Sequence, residues 1–266
     1  MYTSNSGIAG AVVLITGGLG AISLTYAKQL MSHGIKGLVL ADKNIKNSKN
    51  IIMELENHGT GDVIFVRTDI NIKDQLENAF EVAVKKFNQL DIFINNAAIL
   101  NESQWIKMIQ TNFTAAITSN YLALKKYLPK YRNSEEATII NTVCISSLIP
   151  FKSCAIYSTT KSGVLGLHKA LSNPYWYKLY RCRFLALCPG LTQTPMLQQM
   201  GSKGIDLDLF DEECYDYPIQ DPERCGDCLI EALKKGKNGS IWVCDDKIYE
   251  WIIPDRFEVG KSTKAK

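Results

Sequence analysis

Short runs of aliphatic and β-branched residues recur along the chain, separated by longer segments in which apolar residues return every third or fourth position. The short runs predict buried β-strands at residues 11–15, 37–40, 63–66, 91–95, 138–143, 183–188 and 240–243. The longer segments predict helices, of which 21–32, ended by Gly34, and 73–87 show the clearest spacing. Asp221-Pro222 predicts the start of another helix that ends near residue 235.

This alternation of strand and helix predicts an α/β fold: a doubly wound parallel sheet with helices on both faces. The strands are apolar throughout, which is typical of strands covered on both sides. We find no linker, so we expect a single domain over residues 1–259, followed by a basic flexible tail at 260–266.

Composition and charge narrow the class of protein. Of the 266 residues, 46% are hydrophobic and 21% charged, as in an ordinary globular domain. The net charge is only +3 and the basic residues are scattered, which argues against a nucleic-acid partner. No apolar stretch approaches the roughly 18 residues of a membrane span. The eight dispersed cysteines favour free thiols in a reducing compartment, so we expect a cytoplasmic protein.

A glycine-rich loop directly follows the first predicted strand and precedes a helix. Gly17, Gly18 and Gly20 would permit a tight turn and a close backbone approach to a pyrophosphate held at the helix N-terminus. The next strand ends at Asp42, where a carboxylate can hold a ribose hydroxyl and repel a 2′-phosphate. These residues favour NAD over NADP, although the positive charge of Lys43, next to Asp42, weakens that preference. A glycine-rich turn before an ordinary helix remains the alternative.

Tyr157 and Lys161 are four residues apart in a predicted helix, in the sequence YSTTK, so both project from one face. A phenol of pKa about 10 is a poor base at neutral pH. A nearby ammonium group stabilises the phenolate and lowers that pKa. The pair is therefore a candidate acid/base centre for removing the proton of an alcohol.

Several motifs, taken in their order, resemble the short-chain dehydrogenase/reductase superfamily over nearly the whole chain. They are the glycine loop, Asp69-Ile70, Asn95-Asn96-Ala97-Ala98, Asn112, YSTTK and Pro189-Gly190. Within that superfamily the chain is most similar to insect-type alcohol dehydrogenases and 15-hydroxyprostaglandin dehydrogenases. The closer similarity lies in residues 95–102 and 238–242, which read NNAAILNE and NGSIW.

The resemblance implies a Rossmann-type fold, NAD as cofactor, and a homodimer or homotetramer joined by the helices that carry Asn112 and Tyr157. It implies cofactor contacts from Gly17, Gly18, Leu19, Gly20, Ile22, Asp42, Asp69, Ile70, Asn95, Ala97, Tyr157, Lys161, Pro189, Gly190, Thr192 and Thr194. It also implies that Asn112 helps hold the lysine and a relay water. Ala21, Ser23 and Ala98 replace glycines of the family pattern, so we expect weaker binding of NAD.

The fourth catalytic position departs from the family. In the family, a substrate-orienting serine lies thirteen residues before the tyrosine. In this chain that position is occupied by Cys144. A thiol is a weaker and longer donor than a hydroxyl, so Cys144 should hold the substrate oxygen less well. Ser146, on the same face if the strand continues, and Ser147, in register if the loop is three residues shorter, remain alternatives.

The expected substrate is a small lipophilic alcohol or ketone, because an apolar substrate loop follows Pro189-Gly190 at about residues 191–220. The prostaglandin enzymes carry glutamine where this chain has Cys154, so a prostaglandin is not specially favoured. We expect no metal site, since His33, His58 and His168 are isolated, and we interpret Cys225 and Cys228 as structural. Two hypotheses remain: an NAD-dependent alcohol dehydrogenase, and a catalytically weak or inactive homologue with a binding, storage or regulatory role.

Overall fold

A computed structural model describes residues 7–252 of the chain. The predicted tail at 260–266 and the predicted domain end at residue 259 lie outside the described residues. The strands are β1 Val12–Thr16, β2 Gly37–Asp42, β3 Asp62–Arg67, β4 Ile92–Asn95, β5 Ala137–Thr142, β6 Cys182–Pro189, β7 Ile241–Cys244 and β8 Ile248–Trp251. Each of the seven predicted strands is present, six within one residue of their predicted ends, whereas β2 extends two residues beyond its predicted end at residue 40.

Helices connect the strands and cover both faces of the sheet. They are α1 Ala21–Ser32, α2 Ser48–Glu56, α3 Lys73–Phe87, α4 Trp105–Ile109, α5 Ala115–Leu122, α6 Leu128–Tyr131, α7 Ala155–Leu171, α8 Pro174–Tyr180, α9 Pro195–Gln198, α10 Leu207–Cys214 and α11 Glu223–Lys235. The predicted bounds of α1 and α3 are confirmed. The last helix begins one residue later than expected, because Pro222 is its N-cap and not its first residue. Among residues 7–252, none of the helices could span a bilayer.

The eight strands form one sheet in the order β3-β2-β1-β4-β5-β6-β7-β8. All neighbours are parallel except β7 and β8, which pair antiparallel. This confirms the doubly wound fold but corrects the expectation that the strand at 240–243 is the last. Only three residues separate β7 from β8, and so short a connection forms a hairpin and not a parallel crossover.

The sheet separates two apolar cores. In β1, Val13 and Ile15 pack with one core on the side of α1 and α11, whereas Val12 and Leu14 pack with the other on the side of α3. Successive residues of a strand point to opposite faces, so a strand between two helical layers must be apolar at every position. The strand order reverses between β1 and β4, and in such sheets ligands bind beyond the carboxyl ends of the strands at this point.

Candidate active site

A cavity of about 400 Å³ opens where the sequence places most of its candidate residues, at the carboxyl ends of β1 to β6. Fifteen predicted site residues lie on its wall: Gly17, Leu19, Gly20, Ile22, Asp42, Asp69, Ile70, Ala97, Cys144, Tyr157, Lys161, Pro189, Gly190, Thr192 and Thr194. Three do not lie on it: Gly18, Asn95 and Asn112. The structure therefore brings together motifs that are up to 177 residues apart in sequence.

The glycine loop is shaped by close backbone contacts. Gly17 has φ +63°, and a Cβ added to it would lie 2.8 Å from the Cα of Ala97. A Cβ on Gly18 would lie 2.9 Å from the Cα of Leu40. Gly18 thus packs against β2 below the cavity, which explains why it is absent from the wall. Ser23, one of the glycine replacements, donates to the carbonyls of Gly17 at 2.5 Å and Gly20 at 2.8 Å.

Ser23 is fully buried within this loop. Its single hydroxyl proton is shared between these two carbonyls, a bond that glycine cannot make, so the replacement supports the loop conformation. Ala21 and Ala98 both reach the cavity wall. Of the three departures from the family pattern, these two are the ones that reduce the space open to a ligand.

Asp42 ends β2 at the rim of the cavity. One carboxylate oxygen accepts a hydrogen bond from the Leu19 amide at 3.0 Å, and the other accepts from the Asn44 amide at 2.9 Å. These bonds fix the carboxylate against the glycine loop, in the place expected for a group that holds a ribose hydroxyl. Lys43 also lies on the wall.

The loop after β4 places its two asparagines differently. Asn95 points into the protein, where its amide nitrogen donates to Oδ1 of Asn141 at 2.9 Å. Asn96, which the sequence did not single out, lies on the wall and donates to the Thr16 carbonyl at 3.2 Å. Asn95 is the last residue of β4, and side chains alternate along a strand, so only one of two successive asparagines can face the cavity. Asn95 therefore supports the loop from beneath.

Tyr157 and Lys161 lie one turn apart on α7 and are both buried. The lysine Nζ donates to the Thr142 carbonyl at 3.0 Å and lies 5.7 Å from the centre of the tyrosine ring. Burial lowers the pKa of Lys161 to about 8. Burial, followed by the thiols of Cys144 and Cys154, raises the pKa of Tyr157 well above its ordinary value.

The direction for Tyr157 is opposite to the lowering that the sequence predicts. The physical reason is that burial removes hydration from the phenolate and the thiols of Cys144 and Cys154 act in the same direction, while the Lys161 ammonium group donates to the Thr142 carbonyl. In this structure the tyrosine is held as a neutral phenol, a proton donor.

Asn112 lies away from the cavity wall, within a π-helical turn formed by Gln110–Thr114. Its side chain accepts from the Ile99 amide at 2.8 Å and donates to the Ile99 carbonyl at 2.7 Å. It also donates to the Thr160 hydroxyl at 3.3 Å. The side chain therefore ties the loop after β4 to α7 and makes no direct hydrogen bond with Lys161.

Cys144 follows β5 and faces Tyr157 across the cavity. The strand does not continue to Ser146, because a 3-10 turn forms over Ile145–Ser147. Ser146 nevertheless lies on the cavity wall. Ser147 does not: its hydroxyl donates back to the Cys144 carbonyl at 2.6 Å. Cys144 and Ser146 thus both lie on the cavity wall, whereas Ser147 does not.

Two carboxylates that the sequence did not identify hold the N-terminal end of α7. Glu102 accepts from the amides of Ile156 at 3.3 Å and Tyr157 at 2.9 Å. Such bonds satisfy free amides at a helix N-terminus, where negative charge is also favourable. They fix the backbone of the tyrosine. Because Glu102 is 54 and 55 residues away from its two partners, no local sequence signal predicts this contact.

Glu213 of α10 makes a similar contact just upstream. Its carboxylate accepts from the amides of Lys152 at 2.6 Å and Ser153 at 2.8 Å. Burial acts to raise the pKa of Glu213, but hydrogen bonds from Ser153 and Lys152 lower it overall. The contact connects α10 to the segment that leads into α7.

Apolar side chains enclose the cavity on the substrate-loop side. Phe210 of α10 packs edge-on against Phe151, with ring centres 6.4 Å apart. Met200 is buried in the same cluster, and Leu197 packs against it. The part of the cavity next to Tyr157 is therefore suited to an apolar ligand.

Three buried thiols lie beneath the Thr192 end of the cavity. Cys225 and Cys228 of α11 are fully buried, and the sulfurs of Cys225 and Cys244 are 3.8 Å apart. The sulfur of Cys225 lies 3.8 Å from the Thr192 hydroxyl. All eight cysteines are free, and this cluster packs α11 against β7.

Comparison with known proteins agrees with this geometry. The family model described as short chain dehydrogenase matches residues 11–204. Alcohol dehydrogenase 2 of Ceratitis cosyra is 28% identical over 250 residues, which cover 93% of this chain and 96% of the relative. The 15-hydroxyprostaglandin dehydrogenase [NAD(+)] of Rattus norvegicus is 29% identical over 240 residues, 87% and 90% of the two chains.

Among solved structures, levodione reductase superposes with a TM-score of 0.76 at 21% identity, covering 89% of this chain and 96% of that one. This match supports the Rossmann-type fold. The family match extends from the first strand through the glycine loop and the Tyr157–Lys161 pair to the start of the substrate loop. The chain belongs to the short-chain dehydrogenase family and is an oxidoreductase of that type.

Proposed function

We propose that the protein is an NAD-dependent oxidoreductase that interconverts a secondary or lipophilic alcohol and its ketone or aldehyde. The observation that carries the proposal is that Tyr157 and Lys161 face the same cavity as the glycine loop and Asp42. A proton-transfer group and a dinucleotide cradle are thereby joined in one site. The alcohol dehydrogenase and hydroxyprostaglandin dehydrogenase names of the relatives support this class of reaction.

The cofactor is NAD. The residues of the cradle fit a dinucleotide. A Cβ at Gly17 would lie 2.8 Å from its nearest atom and a Cβ at Gly190 would lie 2.4 Å from its nearest atom, so both positions require glycine. The wall is therefore bare backbone at these two positions. The α1 amides beyond this loop suit a pyrophosphate, and Asp42 suits a ribose without a 2′-phosphate. Asp69, Ile70, Ala97, Thr192 and Thr194 would hold the remaining parts. Bound NAD+ supplies the hydride acceptor and a positive charge that favours the tyrosinate.

Tyr157 exchanges the proton of the reacting oxygen. In ketone reduction the neutral phenol donates its proton to the developing alkoxide, and burial keeps the phenol neutral at physiological pH. In alcohol oxidation the ionised tyrosine removes the hydroxyl proton. Lys161, fixed by the Thr142 carbonyl, would stabilise that ionised form and would hold the ribose of a bound cofactor.

Cys144 orients the substrate oxygen weakly from the position of the family serine. The carbon skeleton of the substrate packs against the apolar wall formed by Phe151, Met200 and Phe210. An unpaired charge would be costly among these side chains, so an apolar alcohol is favoured over a charged one.

The assembly is proposed to be a homodimer or homotetramer in the cytoplasm. The resemblance implies a subunit contact through the helices that carry Asn112 and Tyr157, and the exposed Trp105, Ile106 and Tyr121 on the helical segment around Asn112 support it. Eight free thiols support a reducing compartment. Light scattering at micromolar concentration should give twice or four times the 29.7 kDa chain mass.

Thermal-shift titration tests the proposal. NADH should raise the melting temperature at concentrations where NADPH does not, and Asp42→Ala should remove that preference. Oxidation of apolar secondary alcohols should then produce NADH. Absence of any shift at millimolar NADH would refute the proposal. A shift without turnover across an alcohol and ketone panel would favour the inactive binding homologue.

A further inference from the structure

Ser146 is a buried serine on the cavity wall whose hydroxyl has no role in the fold. Its side chain is 1% exposed, and its Oγ makes no hydrogen bond within residues 7–252. It shares the cavity with Cys144, Tyr157 and Phe151. Buried polar groups in proteins are almost always hydrogen-bonded, and an exception that faces a ligand cavity points to a ligand as its partner.

The local backbone explains why this hydroxyl is the free one. After Cys144 the chain folds into the 3-10 turn Ile145–Ser147. The Ser147 amide and hydroxyl both donate to the Cys144 carbonyl, at 3.0 Å and 2.6 Å, so Ser147 is used within the turn. The hydroxyl of Ser146, at the middle of the turn, is left without a partner in the turn.

Thr142 is the other wall residue with a buried hydroxyl that makes no hydrogen bond in this region. It lies beside the buried hydroxyl of Tyr26: burial raises the pKa of Tyr26, and Thr142 opposes that rise. Its own carbonyl accepts from Lys161. Thr142 therefore has protein groups on two sides.

We infer that Ser146 donates the second hydrogen bond to the substrate oxygen, in place of the serine that Cys144 has replaced. A carbonyl oxygen accepts two hydrogen bonds, and Tyr157 donates one of them. A hydroxyl donates a shorter and stronger bond than a thiol, so Ser146 and not Cys144 would carry most of the orientation. This inference rests on the proposed function, because it concerns the substrate of the same site.

Kinetics of alanine variants test the inference, with 1-phenylethanol and acetophenone as apolar probes. Ser146→Ala should lower kcat about a hundredfold, at the lower end of the range for loss of one donor to a reacting oxygen. Its NADH dissociation constant should stay unchanged, because the hydroxyl faces the substrate. Ser119→Ala is the matched control: it removes an equally buried serine hydroxyl of α5 that is absent from the cavity wall.

A compensating variant separates chemistry from folding. The double variant Cys144→Ser/Ser146→Ala moves the hydroxyl to the family position and should recover most of the lost kcat. Wild-type turnover in Ser146→Ala, together with a large loss in Cys144→Ala, would overturn the inference in favour of Cys144. Failure of the double variant to recover any activity, with NADH binding intact, would also contradict it.

A binding measurement distinguishes failure of the inference from failure of the proposed function. Calorimetry of 1-phenylethanol on the NADH complex needs no turnover, and Ser146→Ala should weaken that binding severalfold. Equal affinity for 1-phenylethanol in the wild type and in Ser146→Ala would refute only the role of Ser146 and would leave the proposed function intact. Absence of NADH binding in the wild type would refute the proposed function itself, and the inference with it.

Discussion

Replacing Lys161 with methionine, an apolar side chain of similar length, should stabilise the fold while abolishing turnover. Lys161 is only 4% exposed, and burial lowers its pKa from an ordinary 10.5 to about 8. At about 1.4 kcal/mol for each pKa unit, this difference corresponds to about 3 kcal/mol of unfolding free energy lost at pH 7. The variant also loses the hydrogen bond from the charged ammonium group to the Thr142 carbonyl, worth about 1.5–3 kcal/mol.

The net expectation is therefore a gain of up to about 2 kcal/mol in Lys161→Met at pH 7. Because the folded-state pKa lies below the unfolded value, the unfolded chain binds more protons between pH 8 and 10.5, and wild-type stability rises with pH in this window. The advantage of the variant should consequently shrink by about 1 kcal/mol between pH 7 and pH 9.

Urea unfolding followed by tryptophan fluorescence at pH 7 and pH 9 measures both quantities. Lys169→Met is the matched control, because Lys169 is exposed on the same helix, and it should change stability little at either pH. A Lys161→Met protein less stable than the wild type at pH 7, with the same dependence on pH, would refute the desolvation argument.

Four further changes have defined outcomes. Cys144→Ser should raise kcat in steady-state kinetics, and an unchanged or lower rate would count against its position opposite the reacting oxygen. Burial raises the pKa of Tyr157, so alcohol oxidation should accelerate from pH 7 to pH 10 while ketone reduction does not; matching profiles would contradict this. Gly17→Ala should abolish NADH binding in titration calorimetry. Gly34 also has a positive φ, +75°, but no neighbour within 4 Å, so Gly34→Ala should only lower the free energy of unfolding, by about 1–2 kcal/mol. Glu213→Ala should raise KM and speed proteolysis of the substrate loop, and unchanged cleavage would exclude its role as a tether.

The strands of the sheet were predictable because burial on both faces requires apolar runs. Strand β1 shows this directly, since its residues divide between the two cores. Strand β8 was missed because its residues are half-buried or exposed at the sheet edge and carry no such run. The π-helical turns at Gln110–Thr114 and Ala123–Tyr127 were also beyond prediction, because local sequence favours an ordinary helix there.

The candidate site was predictable where a motif determines backbone position, as with the glycine loop and Tyr157. The direction in which a side chain points was harder to predict from the sequence. Asn95 and Asn96 are adjacent, yet only Asn96 reaches the cavity wall. The contacts of Glu102 and Glu213 were not predictable, because each joins segments more than fifty residues apart through backbone amides, which have no sequence signature. The free hydroxyl of Ser146 likewise depends on the 3-10 turn.

Transfer of deuterium from a carbinol-deuterated alcohol to the nucleotide tests the central claim most directly. The protein is incubated with NAD+ and 1-phenylethanol deuterated at the carbinol carbon, and the reduced nucleotide is analysed by mass spectrometry. We expect NADH heavier by one deuterium with the wild type, and none with Tyr157→Phe although that variant still binds NADH. Absence of labelled nucleotide from a wild-type protein that binds NADH, or equal labelling by Tyr157→Phe, would contradict Tyr157-dependent hydride transfer.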